Sequence, residues 1–225
     1  MKPWLVKEWC LPTADAEFVA KMEDILDVYQ RPYDPLQPVV CIDETSKQLI
    51  KETRIMGSPG YPERRDYEYE RNGTANIFMV FEPLGCRRET IVTEKRTALD
   101  FAQVLKMVSD DFYPYAEKII LVTDNLNTHA ISSLYKRFPP KEARRLAQRF
   151  EWHYTPKHAS WLDMAEIEIG ILSRQALAKP LPDMESFKRQ VRTWNIKRNS
   201  ASHKVNWQFT TSDARIKLKR LYPVL

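Results

Sequence analysis

Two short apolar runs, each leading into an acid, constrain this chain most. Ile119-Ile120-Leu121-Val122 passes through Thr123 into Asp124, and Val39-Val40-Cys41-Ile42 runs directly into Asp43. Continuous apolar runs of this length are the pattern of strands buried on both faces of a sheet. Each acid then stands where its strand leaves the sheet at the carboxyl edge. A third acid, Glu166, lies in a helical segment that begins near Trp161. Two strand ends and a helix can gather three carboxylates, the setting of a two-metal phosphodiester enzyme.

The remaining periodicity predicts the elements around these strands. Residues 14–29 place Phe18, Val19, Met22, Ile25, Leu26 and Tyr29 at helical spacing behind a Thr/Asp cap. A strand is expected over 38–43, an antiparallel hairpin over 75–81 and 88–95, and a helix over 97–112. The second acid-ended strand follows at 118–123, and a last short one surrounds Trp152 and Tyr154. A helix starting near Thr128 would carry Ile131, Leu134 and Tyr135 on one face, stopped by Pro139-Pro140, with another over 141–150. Ser160 is the expected cap of the helix that carries Glu166. The charged stretch 51–72, with its Pro59-Gly60 and Asn72-Gly73 pairs, reads as a long loop. Together these elements predict an α/β fold with a mixed sheet covered by helices.

Charge is unevenly distributed. Residues 171–225 hold 12 Lys and Arg against 3 Asp and Glu, while the rest of the chain holds 23 against 27. An acidic body with a basic tail suggests a segment facing nucleic acid, although a solvated helical face has the same composition. Cys10, Cys41 and Cys86 lie far apart without CxxC spacing, which fits a reducing compartment better than a zinc motif or disulfide framework. No apolar run approaches the roughly 20 residues of a membrane span. The amino end, MKPWLVKEWCLPT, is too interrupted by charge and proline for a secretory signal.

The site residues need more than position. Taken singly, Asp43 or Asp124 also fits a helix cap or a solvated turn. Asn125 and Asn127 suit either metal-bound water or an Asx turn, and His129 reads as a packed or surface histidine. Among Asp163, Glu166 and Glu168, the first two share a helical face, whereas Glu168 points about 200° away from Glu166. Lys157 and His158 suit phosphate contact or a plain loop. Trp194 and Trp207 suit base stacking or core packing.

Several segments carry a resemblance: VVCIDET at 39–45, RRDYEYERNGTANIF at 64–78, LVTDNLNTH at 121–129, YTPKHASWLDMAEIE at 154–168 and LPTADAEFVAKMEDILDVYQRPYD near the start. Together they resemble the catalytic half of bacterial insertion-sequence transposases of the mariner superfamily. The resemblance implies a ribonuclease-H-like mixed five-stranded sheet flanked by helices, with a basic helical extension at the carboxyl end. It implies a DDE triad of Asp43, Asp124 and Glu166 that holds two Mg²⁺ ions, with Mn²⁺ as a substitute. Glu166 is chosen because Leu162-Asp163-Met164-Ala165-Glu166 resembles the Leu-Asn-Pro-Ile-Glu run of relatives. The spacing from Asp124 is somewhat longer than the mariner pattern, which keeps Glu168 in reserve.

On this footing the expected activity is metal-dependent cleavage of double-stranded DNA at transposon ends and strand transfer into a target. Lys157, His158, Arg174, Lys188, Arg189, Arg192, Lys197 and Arg198 are the candidate DNA contacts. The expected division is an N-terminal helix and linker over 1–37, a catalytic domain over 38–180 and a basic helical extension over 181–225. Relatives carry a helix-turn-helix DNA-binding part ahead of the catalytic domain, so end recognition is expected from a separate or missing part. A homodimer on DNA and a cytoplasmic, nucleoid-associated location complete the expectation. The rivals are a truncated remnant that only binds DNA or a partner, and a nuclease or junction resolvase of the same fold.

Overall fold

Ile119–Thr123 forms a strand buried along its whole length, and the sheet extends from it on both sides. The computed structural model describes residues 15–52, 55–56, 64–65, 69–157 and 159–223. In chain order, α1 (Ala16–Tyr29) precedes β1 (Val39–Glu52), the two-residue strands β2 (Ile55–Met56) and β3 (Arg64–Arg65), β4 (Tyr69–Glu82) and β5 (Arg87–Thr93). Next come α2 (Ala98–Met107), a π-helical turn (Val108–Phe112), β6 (Ile119–Thr123), α3 (Ser132–Arg137), α4 (Pro140–Arg149) and β7 (Phe150–Tyr154). A 3₁₀ turn (Ser160–Leu162) leads into α5 (Met164–Gln175), then α6 (Met184–Ser200) and α7 (Thr211–Lys217). Among the described residues β2 pairs with β3, and the other strands form one sheet in the order β5-β4-β1-β6-β7. β1 is antiparallel to β4 and parallel to β6, so the sheet is mixed, as expected.

Alternation along the strands sorts side chains into two apolar layers. Cys41, Ile77, Met79, Phe81, Ile120 and Val122 face α1, α5, α6 and α7. Val40, Ile42, Phe78, Val80, Ile119 and Leu121 face α2, α3 and α4. Covering both faces removes β6 and the apolar start of β1 from water, which is why these runs lack polar interruptions. Phe187, Val191 and Trp194 of α6 join Met22, Ile25 and Leu26 of α1 in the first layer, so both ends of the chain close the same core. No helix among the described residues is long and apolar enough to cross a membrane.

Three local expectations need correction. β1 runs to Glu52 and β4 begins at Tyr69, so strand takes both ends of the predicted 51–72 loop, whose Pro59-Gly60 pair lies outside the described residues. Their antiparallel ladder pairs Lys47 with Ala75 and Lys51 with Glu70; backbone hydrogen bonds there need no apolar side chains, which is why periodicity missed it. The helix expected from Thr128 starts at Ser132, and it buries Leu134 while leaving Ile131 and Tyr135 exposed. The delay arises because 124–130 is a pinned turn: Leu126 N–H donates to Asp124, and His129 N–H to the Leu126 carbonyl. Finally, Ser160 opens the 3₁₀ turn and Asp163 caps α5, its Oδ1 accepting from Ala165 N–H at 2.8 Å.

Candidate active site

Strand register brings the first two acids together. The last parallel pair between β1 and β6 is Ile42 with Thr123. One residue further, Asp43 and Asp124 lie side by side on the same face, on strands that run roughly 4.8 Å apart. Asp43 is not at a strand end, as the sequence suggested. It sits inside β1 at the point where the neighbouring β6 stops.

The loop after β7 and the start of α5 close the other side. Asp43, Asp124, Asn125, Lys157, Ser160, Asp163 and Glu166 line one cleft of about 340 Å³. Glu166 enters it from the first turn of α5. The acids feel one another. Burial raises the Asp43 carboxyl to about 7, with Glu44 and Asp124 adding to the rise against the Glu44 N–H hydrogen bond. Burial, then the charge of Asp124, also raises Glu166, against a hydrogen bond from Ser160. Asp163 is pushed well up by burial and then by Asp43, Asp124 and Glu166. Stacked negative charge with raised proton affinity is what acids show where a cation belongs.

His129 was not chosen from the sequence, yet it backs Asp124 from outside the cleft lining. It is buried, its Nδ1 hydrogen-bonds Asp124 Oδ1, and its Nε2 stands 2.7 Å from Glu44 Oε2, out of hydrogen-bond line. Its ring also packs on Phe101, with centroids 4.4 Å apart. Burial opposes its charge, but Asp124 and Glu44 prevail and hold the imidazole up to about 9. The signal available in the sequence was the five-residue step from Asp124 to His129 in DNLNTH, with Glu44 beside Asp43.

Glu168 is withdrawn from the cleft. It is 1% exposed and receives Arg88 Nε at 2.6 Å and Arg198 Nε at 2.7 Å. Arg88, itself fully buried, also donates to the carbonyls of Cys86 and His203 and lies over the Phe81 ring. The network ties β5, α5 and α6 together, and Glu168 does not line the cleft.

Of the basic candidates, only Lys157 lines the cleft. His158 lies outside the described residues. Arg198 is turned inward onto Glu168, which removes it from the free phosphate contacts. Arg174, Arg189, Arg192 and Lys197 are exposed, and Lys188 pairs at the surface with Glu185 at 3.1 Å. Trp194 is core: it is buried and its Nε1 donates to Gln175. Trp207 packs between Tyr29 and Trp161.

As they stand, no three His, Cys, Asp or Glu side chains among the described residues converge closely enough to enclose a cation. One Asp124 oxygen is engaged by His129. The donor set itself fits a hard divalent ion: all carboxylate oxygens, close in charge and open to water on one side.

The mixed five-stranded sheet flanked by helices, with acids from adjacent strands and a helix-borne glutamate lining one cleft, has the ribonuclease-H-like architecture. The family model described as "DDE superfamily endonuclease" matches residues 38–188, and the chain belongs to that family. Among solved structures, the Mos1 mariner paired end complex with Mn is similar at TM-score 0.56 and 15% identity, over 96% of this chain and 65% of that one. The Mos1 strand transfer complex gives 0.57 and 14% over the same shares. The Mos1 transposase paired-end complex with left transposon end gives 0.55 and 15%, over 88% of this chain and 61% of that one. The chain therefore has the fold of the mariner transposase Mos1 and spans less than two-thirds of its length. No curated protein matches it.

Proposed function

We propose that this chain is the catalytic part of a DDE transposase, which cuts double-stranded DNA at transposon ends and joins the freed end to target DNA. Support comes chiefly from one observation: the β1–β6 register sets Asp43 beside Asp124, in the same cleft as Glu166. These three residues would hold Mg²⁺ or Mn²⁺, which when bound supplies an activated water or 3′-hydroxyl and charge stabilisation for in-line displacement at phosphorus. His129 orients Asp124 and keeps its own positive charge between Asp124 and Glu44. Lys157, in the cleft lining, would meet a phosphate oxygen of the bound strand. The exposed Arg174, Lys188, Arg189, Arg192 and Lys197 extend this to the flanking duplex, each neutralised phosphate steepening the salt dependence by about 0.9 in log–log slope. Association as a homodimer on paired ends, with end recognition from a further DNA-binding part, completes the proposal.

The test is a plasmid assay with Mg²⁺ or Mn²⁺ that separates nicking from joining of a labelled duplex. Nicking and joining, both lost in EDTA, are expected. Cleavage without any joining would favour the plain nuclease, and DNA binding without cleavage the inactive remnant.

The cleft also predicts an unusual pH dependence. Asp43 is pushed up to about 7 in the fold against an ordinary 3.8, so between these the folded chain keeps a proton that the unfolded chain releases. His129, at about 9 against 6.5, behaves alike at higher pH: its contribution is full below 6.5 and lost through 9. Both make stability fall as pH rises, Asp43 alone by on the order of a few kcal/mol. In EDTA, the melting temperature should drop from pH 5 to pH 9, and millimolar Mg²⁺ should recover most of the loss at pH 8. A flat profile in EDTA would contradict the charge arrangement.

A further inference from the structure

The cleft holds a fourth acid that the triad leaves without a role. Asp163 lines it beside Asp43, Asp124 and Glu166, and is 2% exposed. Its Oδ1 accepts from Ala165 N–H and caps α5, a task that needs one oxygen. Its Oδ2 is buried and has no hydrogen-bond partner among the described residues. The nearby Tyr29 hydroxyl is engaged elsewhere, donating to the Leu162 carbonyl at 2.6 Å.

A buried carboxylate oxygen with no donor is unfavourable and rare in folded proteins. A plain helix cap offers no reason for it, because the cap could be Ser, Thr or Asn, none of which carries a charge into the core. A divalent cation offers one. Three carboxylates bring three negative charges against the four positive charges of two divalent ions, and Glu44 and His129 offset each other.

We propose that Asp163 is a fourth carboxylate ligand of the divalent-cation site, its Oδ1 holding the helix terminus while Oδ2 faces the ion. The proposal rests on the metal-dependent function above and deepens it. Asp163 fixes the start of the helix that carries Glu166, so one residue both supplies an oxygen and sets where the Glu166 carboxylate enters the cleft.

Calorimetric titration with MnCl₂ at pH 8 tests this on the full chain. Asp163→Asn keeps a cap-competent oxygen and removes the charge, and Asp163→Ser does so with a different side chain should the first fold poorly. Asp183→Asn is the control, because Asp183 caps α6 in the same manner, accepting from Ser186 N–H at 2.7 Å, without lining the cleft. Wild type and Asp183→Asn should bind two Mn²⁺ ions alike. Asp163→Asn should lose one ion or weaken by at least tenfold, and its melting temperature in EDTA should be no lower than wild type while the Mn²⁺-induced rise shrinks. Unchanged affinity and stoichiometry in Asp163→Asn would overturn the fourth ligand alone and leave Asp163 a cap. Wild type that binds no Mn²⁺ would overturn it together with the metal-dependent function.

Discussion

Asp124→Asn should abolish nicking, by roughly a thousandfold or more, while the chain stays folded. The two side chains have nearly the same volume, and the asparagine carbonyl can still accept from Leu126 N–H as Asp124 Oδ1 does at 3.2 Å. What is lost is charge at the point where β6 delivers it to the cleft beside Asp43. An amide is a poor ligand for a hard divalent ion, and the transition-state stabilisation at stake is several kcal/mol, each 1.36 kcal/mol being about tenfold in rate. His129 loses one of the two acids that hold its charge, so its titration should move down from about 9. Circular dichroism, a histidine NMR titration and the plasmid assay read these three consequences separately. Nicking retained above one-tenth of wild type would remove Asp124 from the machinery.

The second large effect concerns stability and separates two glutamates that stand one residue apart on the same helix. Glu168→Ala should cost about 3–5 kcal/mol, because it leaves the fully buried Arg88 cation without its counter-charge. Arg198 softens the loss little, since its guanidinium is partly exposed and can turn to water, whereas that of Arg88 cannot. Replacing the pair together, as Arg88→Met with Glu168→Leu, should cost much less, because no uncompensated charge remains. Glu166→Ala should show the reverse pattern: its side chain is exposed in the cleft, so stability holds while cleavage is lost. Denaturant titrations of the three variants check the order. A Glu168→Ala penalty below 1 kcal/mol would mean that the Arg88 network does not hold β5, α5 and α6 together.

Whatever depended on local pattern could be read from the chain by itself. The runs ending in Asp43 and Asp124 had to be central strands, because such apolar stretches are stable only with both faces covered. The β4–β5 hairpin, α1, α2 and α4 followed from periodicity and turn residues, and the mixed sheet from their order. That Asp43 and Asp124 come together was legible from the two runs, but not how: β6 stops at Thr123 while β1 runs on to Glu52, and the last parallel pair, Ile42 with Thr123, leaves the next residues side by side.

Contacts between distant segments were not legible. The polar half of the β1–β4 ladder carries no apolar alternation to reveal it. That Glu168 is turned away from the cleft depends on Arg88, 80 residues away in sequence, and on Arg198, 30 residues away. Those arginines counted as charge in composition, yet one lies in the core and the other closes over the same glutamate. His129 looked like an ordinary histidine until β1 placed Glu44 against its far nitrogen. Asp163 looked like one acid among three, and only burial shows that one of its oxygens lacks a partner. Sequence determined which residues must leave water. Tertiary packing decided which charges were left facing the cleft, because a charge is defined by its partners and those came from elsewhere in the chain.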